Sequence, residues 1–287
     1  MPAPHPLIKP LLVHTGFADV AKLRHFKIDH HLVTALVERW RPEKHTFHHP
    51  VRECTITLED VALQLGIRVD GRPITSATYY DWEEICEQYL GVVPPKGEAI
   101  VGSAIKLKWL QDNMPSLPSE STQQQLEAHC RAYILWLIGG VLMPNKTGNR
   151  VHLMYLTFLA DLDRVRRYSW GFACLATLYR EMCRVTNLDA KTMGGCASLL
   201  QYWAWYRMPF IAARVNRTPS WSGGGLSFTG TPHGDVIGYR MRLDHMTVEQ
   251  FLWNPYLHFL DALESTTFVD SSIWTACTPL ICFSIVE

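Results

Sequence analysis

The sequence lacks an excess of charge of either sign, any closely paired cysteines and any long apolar run. Its 27 lysines and arginines balance 27 aspartates and glutamates, so the basic surface typical of a dedicated nucleic-acid-binding protein is absent from the chain as a whole. None of the eight cysteines forms a C-x-x-C pair. With no recognisable signal peptide, they indicate a reducing compartment, the cytosol or the nucleus. The longest apolar run, residues 133–143, is about half of the roughly 20 residues that span a bilayer, so no membrane span is expected.

The motifs of common enzyme classes are also missing. The chain contains no G-x-x-x-x-G-K-[ST] phosphate loop and no G-x-S-x-G nucleophile elbow. None of its lysines lies in the glycine- or serine-rich context expected of a pyridoxal-phosphate site. Residues 232–235 and 148–150 match none of the metal-binding motifs of two-metal serine/threonine phosphatases. We therefore expect no catalytic residues, no cofactor and no metal.

Histidines near the amino terminus provide the main candidate for metal chemistry. The possible ligands are His30, His31, His45, His48, His49 and Cys54. A closed zinc site needs four ligands and an open catalytic site needs three, so the fold would have to bring several of these side chains together. We expect instead exposed or hydrogen-bonded histidines around a β-hairpin. A metal-dependent enzyme is the third of three hypotheses.

The composition predicts a folded protein with an aromatic core. Hydrophobic residues make up 47% of the chain and charged residues 19%, and there are ten tryptophans, eleven tyrosines and eleven phenylalanines. Each aromatic ring can bury roughly 150 to 250 Å². We expect a mainly α fold with a few short β-strands (α+β), in which residues 1–14 form an extended lead-in and residues 15–287 form a single compact helical domain.

Helical periodicity and end signals give the expected elements. Helices are predicted over residues 17–27, 30–40, 57–66, 81–90, 103–113, 122–143, 151–163, 170–186, 195–207 and 247–252. Strands are predicted within residues 46–57, 67–69, 236–241 and 268–286. Thr57 and Asp60 have the spacing of a capping box, and Gly66 is expected to end that helix. The glycine cluster at residues 223–225 predicts a mobile surface loop.

Two aromatic-rich stretches are the most distinctive part of the sequence. Residues 168–183 read YSWGFACLATLYREMC, and residues 194–209 read GGCASLLQYWAWYRMP. Their aromatic residues fall at helical spacing, which is more typical of a core than of a ligand site. Further distinctive stretches are residues 36–48 (LVERWRPEKHTFH), 53–61 (ECTITLEDV) and 279–287 (PLICFSIVE).

These stretches together resemble the plant mobile domain, over roughly residues 11–287. This domain occurs in plant transposable elements and in the MAINTENANCE OF MERISTEMS proteins. The resemblance implies a non-enzymatic nuclear interaction module implicated in transposable-element silencing, genome stability and meristem maintenance. It also implies a protein partner, a phosphatase-7-like protein with the same domain. "Aminotransferase-like" is a name attached to relatives, and no residue pattern here supports that activity.

The resemblance also marks a set of signature residues that we expect to be mostly structural. They are Trp40, Pro42, Phe47, Glu53, Leu58, Asp60, Trp170, Gly171, Leu178, Tyr179, Gly195, Leu200, Trp203, Trp205 and Arg207. Trp203 and Trp205 point about 200° apart on a helix, so one can be buried while the other contacts a partner.

The chain departs from the family pattern in two places. Arg52 stands where the family has a glycine before Glu53, so a turn there must form without glycine's access to positive φ. The sequence also stops at Glu287, where family members continue into an arginine-rich segment. We therefore expect a domain truncated at its carboxyl end, from either a host gene or a transposon.

The second hypothesis is a DNA-binding accessory domain of a transposon-encoded protein. Arg164, Arg166 and Arg167 beside Tyr168 are the first candidate phosphate contacts. A second group is Arg207, Arg214 and Arg217. Clustered arginines are more often a solvated helix face, so nucleic-acid contact is the less favoured reading.

Overall fold

The architecture comes from a computed structural model. It describes residues 3–23, 27–75, 80–114, 117–118, 120–187, 189–190, 192–212, 235–256, 280–282 and 285–286. The predicted glycine loop at 223–225 and most of the β-leaning stretch 268–286 lie outside these residues.

Helices dominate the described residues, which confirms the predicted mainly α fold. In chain order they are α1 (Lys9–Thr15), α2 (Ala18–Lys22), α3 (His30–Val37), α4 (Leu58–Leu65), α5 (Trp82–Leu90), α6 (Leu107–Asp112), α7 (Gln123–Leu137), α8 (Met154–Phe158), α9 (Leu162–Val165), α10 (Trp170–Val185), α11 (Ala197–Arg207) and α12 (Val236–Asp244). Single turns of 3₁₀ helix lie at Pro6–Ile8, Pro209–Ile211 and Val248–Gln250, and α7 continues into a π-helical turn at Ile138–Leu142.

The strands are short and antiparallel. They are β1 (Trp40–Arg41), β2 (Thr46–His48), β3 (Glu53–Cys54), β4 (Ile100–Val101), β5 (Ala104–Lys106), β6 (Arg150–His152), β7 (Ile281–Cys282) and β8 (Ile285–Val286). They pair in the orders β1-β2-β3, β4-β5-β6 and β7-β8. In the first sheet Phe47 is the centre of the register, opposite Trp40 on one side and Cys54 on the other.

The core forms around α10 and α11, which carry the two aromatic-rich stretches. α10 packs against α4, β1 and β7, and α11 packs against α3 and α4. α10 buries side chains around most of its circumference, as expected of a helix surrounded by other elements. No helix in the described part of the chain is long and apolar enough to cross a membrane.

Helix ends with clear side-chain signals lie where the sequence predicts them. At α4, the Thr57 hydroxyl accepts a hydrogen bond from the Asp60 backbone N–H and the Asp60 carboxylate accepts one from the Thr57 N–H, which completes the capping box. Gly66 ends this helix. At α5, the Asp81 side chain accepts hydrogen bonds from the N–H groups of Glu83 and Glu84.

The amino-terminal residues correct one prediction. The segment 1–14 was expected to be extended, but Pro6–Ile8 and Lys9–Thr15 are helical. Both pieces begin with a proline in the first two positions, where the missing N–H costs nothing and the fixed φ suits a helix. Ile8 and Leu12 are fully buried, and α1 packs against α7 and α9.

Four further predictions fail, three of them where tertiary contacts override the local pattern. Residues 103–113 and 151–163 were each predicted as one helix, but each begins with a strand, because β5 pairs with both β4 and β6. Residues 236–241 were predicted as a strand but belong to α12, which buries Tyr239 and Leu243 against α3. Residues 67–69 form no strand. Edge and cross-strand contacts of this kind are set by distant partners.

Candidate functional site

Four signature aromatics form one packed column behind the first sheet. Trp40 meets Phe47 edge-on at 4.8 Å between ring centroids and lies 5.1 Å from Tyr179. Phe47 in turn stacks on Trp203 at 4.8 Å. Trp40, Phe47 and Trp203 are at most 1% exposed. The column therefore joins β1 and β2 to α10 and α11.

Hydrogen bonds fix the polar ends of Tyr179 and Trp40, whereas the buried indole nitrogen of Trp203 has no hydrogen-bond partner among the described residues. The Tyr179 hydroxyl donates to the Ile56 carbonyl at 2.6 Å and lies 2.6 Å from the Thr55 hydroxyl. Burial raises the pKa of Tyr179 well above its usual value, so the phenol stays protonated. The Trp40 indole N–H donates to the Cys183 sulfur at 3.2 Å. The column is thus held in one arrangement.

Two signature glycines allow close approach of backbone. A Cβ on Gly171 would lie 2.7 Å from a Val69 methyl and 2.8 Å from the Arg68 carbonyl oxygen, so only glycine fits where α10 begins. Gly195 has φ of +74°, and a Cβ there would lie 3.0 Å from the Leu178 Cα. Glycine alone adopts this conformation freely.

A buried ion pair connects two of the distinctive stretches, residues 53–61 and 194–209. One oxygen of Asp60 accepts hydrogen bonds from the Arg207 Nε at 3.1 Å and from a terminal nitrogen at 2.8 Å. The other accepts from the Thr57 backbone N–H and hydroxyl, both at 2.8 Å. Asp60 is fully buried and Arg207 is 5% exposed. The pair fastens the start of α4 to the end of α11.

Residues after the last signature helix complete this junction. The Tyr256 hydroxyl donates to Asp60 at 2.6 Å, and burial together with the Asp60 carboxylate raises the pKa of Tyr256 well above its usual range. Arg207 donates to the Trp253 carbonyl oxygen, and its own carbonyl accepts from the Leu252 N–H at 2.7 Å. The sequence analysis did not identify Tyr256. Only the need of a buried carboxylate for hydrogen-bond donors could have indicated that such a residue exists.

The remaining signature residues lie mostly in the interior. Leu58, Trp170, Leu178 and Leu200 are at most 5% exposed. The Trp170 indole donates to the Val165 carbonyl at 3.0 Å. Trp205 is half-buried, unlike the fully buried Trp203, so the two tryptophans differ as their spacing predicts. Pro42 is half-buried, and Glu53 is exposed and pairs with Lys44 at 2.8 Å.

An open groove of about 900 Å³ lies on the other side of Trp40. One wall is the face of α3 that carries Val33 and Val37. The other wall is the end of α10 and the chain that follows it, with Val185 and Met193. Pockets that bind ligands or peptides usually combine such an apolar lining with a few polar groups. We call this feature the α3 groove.

Charged side chains at the rim of the α3 groove differ in their pairing. Glu38 accepts two hydrogen bonds from Arg240, one of them at 2.7 Å, and this contact lowers the pKa of Glu38. Arg41 and Lys146 also line the rim. Neither cation has an ion-pair partner among the residues that the structure describes.

The histidines are spread over separate environments. His48 is exposed beside Glu53, whereas His49 is 2% exposed and neither of its ring nitrogens has a hydrogen-bond partner within the described ranges. Burial, with Arg39 as a smaller cause, lowers the pKa of His49 to about 4. Among the described residues, no group of three or more histidine, cysteine or acidic side chains is placed to hold a metal ion.

The turn at Arg52 forms without positive φ. The His49 and Arg52 backbones exchange hydrogen bonds at 3.0 and 3.2 Å, and His45 is the non-glycine residue with positive φ in this region. Arg52 extends over the Trp253 ring at 5.2 Å. An arginine is therefore accommodated at this position without strain.

The two arginine groups proposed for nucleic-acid contact differ in their exposure to solvent. Arg164, Arg166 and Arg167 are all exposed, and Arg164 pairs with Asp161 at 2.9 Å. Arg72 joins them, because its backbone exchanges hydrogen bonds with Arg167 and Ser169 at 2.8 Å. We call these four residues the arginine surface.

The second arginine group is corrected by the structure. Arg207 is committed to Asp60 in the interior and cannot reach a phosphate. Arg214 and Arg217 lie outside the described residues.

A serine–histidine contact in the second sheet does not have the geometry of a catalytic pair. The Ser103 hydroxyl lies 2.5 Å from His152 Nε2, while His152 Nδ1 accepts the Met154 N–H at 3.1 Å. Burial lowers the pKa of His152, so the ring is neutral and its proton lies on Nε2. That nitrogen donates to Ser103, whereas a general base must accept the serine proton.

Comparison with known proteins shows which family and which relatives the chain resembles. A family model described as "Plant mobile domain" matches residues 16–287. The chain is 39% identical to "Serine/threonine-protein phosphatase 7 long form homolog" of Arabidopsis thaliana, over 98% of this chain and 22% of that protein. It is 37% identical to "Protein MAIN-LIKE 2", over 86% of this chain and 38% of that protein.

A further relative, "Protein MAINTENANCE OF MERISTEMS" of the same plant, is 31% identical over 96% of this chain and 58% of that protein. The chain therefore spans between about a fifth and three-fifths of the length of these relatives. No solved structure gives a significant match. The family match over most of the chain and these identities lead to one conclusion: the chain belongs to the plant mobile domain family.

Proposed function

We propose that this chain is a non-enzymatic interaction module of a nuclear protein that acts in transposable-element silencing, genome stability and meristem maintenance. The α3 groove is the observation that carries the proposal. It is open, about 900 Å³ in volume, and backed by Trp40, which the packed column holds in place. A preformed groove on a rigid support binds a partner with little ordering cost.

The relatives suggest which processes and partner to test. One has a name that refers to maintenance of meristems, and another is named as a phosphatase 7 homologue. We propose a phosphatase-7-like protein carrying the same domain as the partner. No chemistry is assigned to this chain, since the Ser103–His152 pair has its proton on the wrong nitrogen for a nucleophile and base.

Affinity purification from plant nuclei with mass spectrometry tests the proposal. The wild type is compared with Val37→Arg, which places a long charged side chain in the groove, and with Val13→Arg, which makes the same change at a valine on α1 that is 63% exposed. Melting temperatures establish first that all three proteins fold. We expect the partner to be recovered with the wild type and Val13→Arg and lost with Val37→Arg. Equal recovery with both variants would place the contact elsewhere.

The alternative function is a DNA-binding accessory domain, and the arginine surface is the observation that favours it. Four exposed arginines from two chain segments meet there, and Arg72 and Arg167 have no ion-pair partner in the described parts of the chain. Binding through phosphates weakens steeply with salt because counterions are released. Retention on duplex DNA that falls with salt, and that falls further in an Arg72→Gln/Arg167→Gln variant, would favour this alternative over the interaction module.

A further inference from the structure

We propose that the α3 groove binds a short acidic segment of a partner protein, with apolar side chains that enter the groove and aspartate or glutamate residues that meet its rim. This inference rests on the proposed interaction function and names the chemistry of the partner. It follows from two properties of the groove, its unfilled apolar wall and its unpaired positive charge.

The apolar wall follows from how α3 is placed. One side of the helix buries Leu32, Ala35 and Leu36 in the core. The side with Val33 and Val37, at i and i+4, lines the groove and is half-buried. Residues at this spacing share one helix face. α3 therefore presents an apolar stripe to the groove, as helices and strands do where a peptide docks.

The charge at the rim selects the sign of the occupant. Glu38 is the acidic residue lining the groove, and Arg240 already neutralises it. Arg41 and Lys146 lie on the rim without an ion-pair partner in the described residues. The rim thus carries two uncompensated positive charges beside an apolar floor. A partner with acidic residues flanking its apolar contacts complements both features, and charge complementarity of this kind sets specificity and association rate.

Thr34 offers a direct test of this charge preference. It is exposed, lies between Val33 and Val37 along α3, and lines the groove. Thr34→Glu and Thr34→Lys add side chains of similar length and opposite charge at the same point. Substitutions at exposed positions of this kind usually have little effect on stability, so both proteins should fold and differ in binding.

A phage library of random dodecapeptides, selected on the purified wild-type protein, identifies the preferred sequences. We expect the enriched peptides to combine apolar residues with a net negative charge. The affinities of synthetic copies are then measured against both Thr34 variants, an Arg41→Glu/Lys146→Glu variant and Lys108→Glu, an exposed lysine outside the groove. We expect about two- to fivefold weaker binding for Thr34→Glu, about tenfold weaker binding for the double variant, which reverses two charges, and little change for Thr34→Lys and Lys108→Glu.

Each other outcome separates this inference from the proposed function. Enrichment of neutral or basic peptides whose binding is lost in Val37→Arg would overturn the acidic partner while keeping the groove as an interaction site. Peptides that bind all variants equally would show that the groove is not their site. No enrichment, together with no partner recovered from nuclei, would overturn both proposals.

Discussion

The Asp60–Arg207 junction and the rim of the α3 groove use charge in opposite ways. At the junction, an ion pair is buried and every oxygen of Asp60 accepts hydrogen bonds from neighbours. At the rim, Arg41 and Lys146 face solvent with no ion-pair partner among the described residues. Buried charge must be fully paired to be tolerated, whereas exposed charge is free to meet another molecule. The first region holds the fold together and the second is available for binding.

The largest expected effect comes from breaking the junction. Arg207→Met leaves Asp60 buried without its cation, and removing one partner of a buried pair costs about 3 to 5 kcal/mol. Arg164→Met, which removes an exposed pair with Asp161, should cost at most about 1 kcal/mol. Urea denaturation of both variants measures the difference. Equal losses would mean that the junction does not hold α4 to α11.

Truncating the aromatic column should be almost as damaging. Trp203 is fully buried and stacked on Phe47, so Trp203→Ala should lower the free energy of unfolding by about 3 to 5 kcal/mol. Trp170→Ala is expected to behave in the same way. Trp205→Ala is the matched control, because Trp205 is half-buried on the same helix. A melting temperature for Trp203→Ala equal to that of the control would move Trp203 out of the core.

The buried His49 makes stability depend on pH. Its pKa is lowered from 6.5 to about 4 in the folded protein, so the unfolded chain binds the proton more readily. The contribution of neutral His49 to the free energy of unfolding is therefore fully present above about pH 6.5. It falls by about 3 kcal/mol as the pH drops to 4. Arg39, His48 and Asp244 are the charged groups that influence it.

His49→Leu tests this dependence through denaturation curves at pH 7, 5.5 and 4. The variant should lose less stability than the wild type over this range, while His48→Gln, at an exposed histidine, should follow the wild type. A wild-type loss that His49→Leu leaves unchanged would assign the effect to other groups.

The smallest effect on stability is expected at the groove. Thr34→Glu and Thr34→Lys should unfold within about 0.5 kcal/mol of the wild type, although they differ in peptide affinity. Thermal melts of the two variants beside the wild type check this. A large loss of stability in either variant would show that the groove wall contributes to the core, which would contradict the contrast between an exposed groove and a buried junction.

The sequence predicts those parts of the fold that depend on local chemistry. Thr57 and Asp60 cap α4 because the required side chains lie three residues apart, and α10 and α11 begin and end close to the aromatic patterns that predict them. Strand β5 was missed because its partners, β4 and β6, decide its conformation. α12 was missed because the face it buries is set by α3.

The candidate site was less predictable than the fold. The signature residues lie behind the groove and support it, whereas its walls come from Val33, Val37, Val185 and Met193, which are distant in sequence and share no motif. The sequence analysis gave Arg207 as a possible phosphate contact. Its burial and its pairing with Asp60 depend on tertiary structure and cannot be seen in the sequence. Sequence patterns identify the scaffold, whereas the groove that we propose as a binding surface emerges only from how the helices pack.

Site-specific photo-crosslinking in plant nuclei tests the central claim most directly. A benzoylphenylalanine placed at residue 34, in the groove, is compared with one at residue 108, outside it. We predict that the probe in the groove crosslinks to a protein through an acidic, apolar segment and that the probe at residue 108 does not. Equal crosslinking at both positions, or crosslinking of the groove probe to nucleic acid alone, would contradict the account.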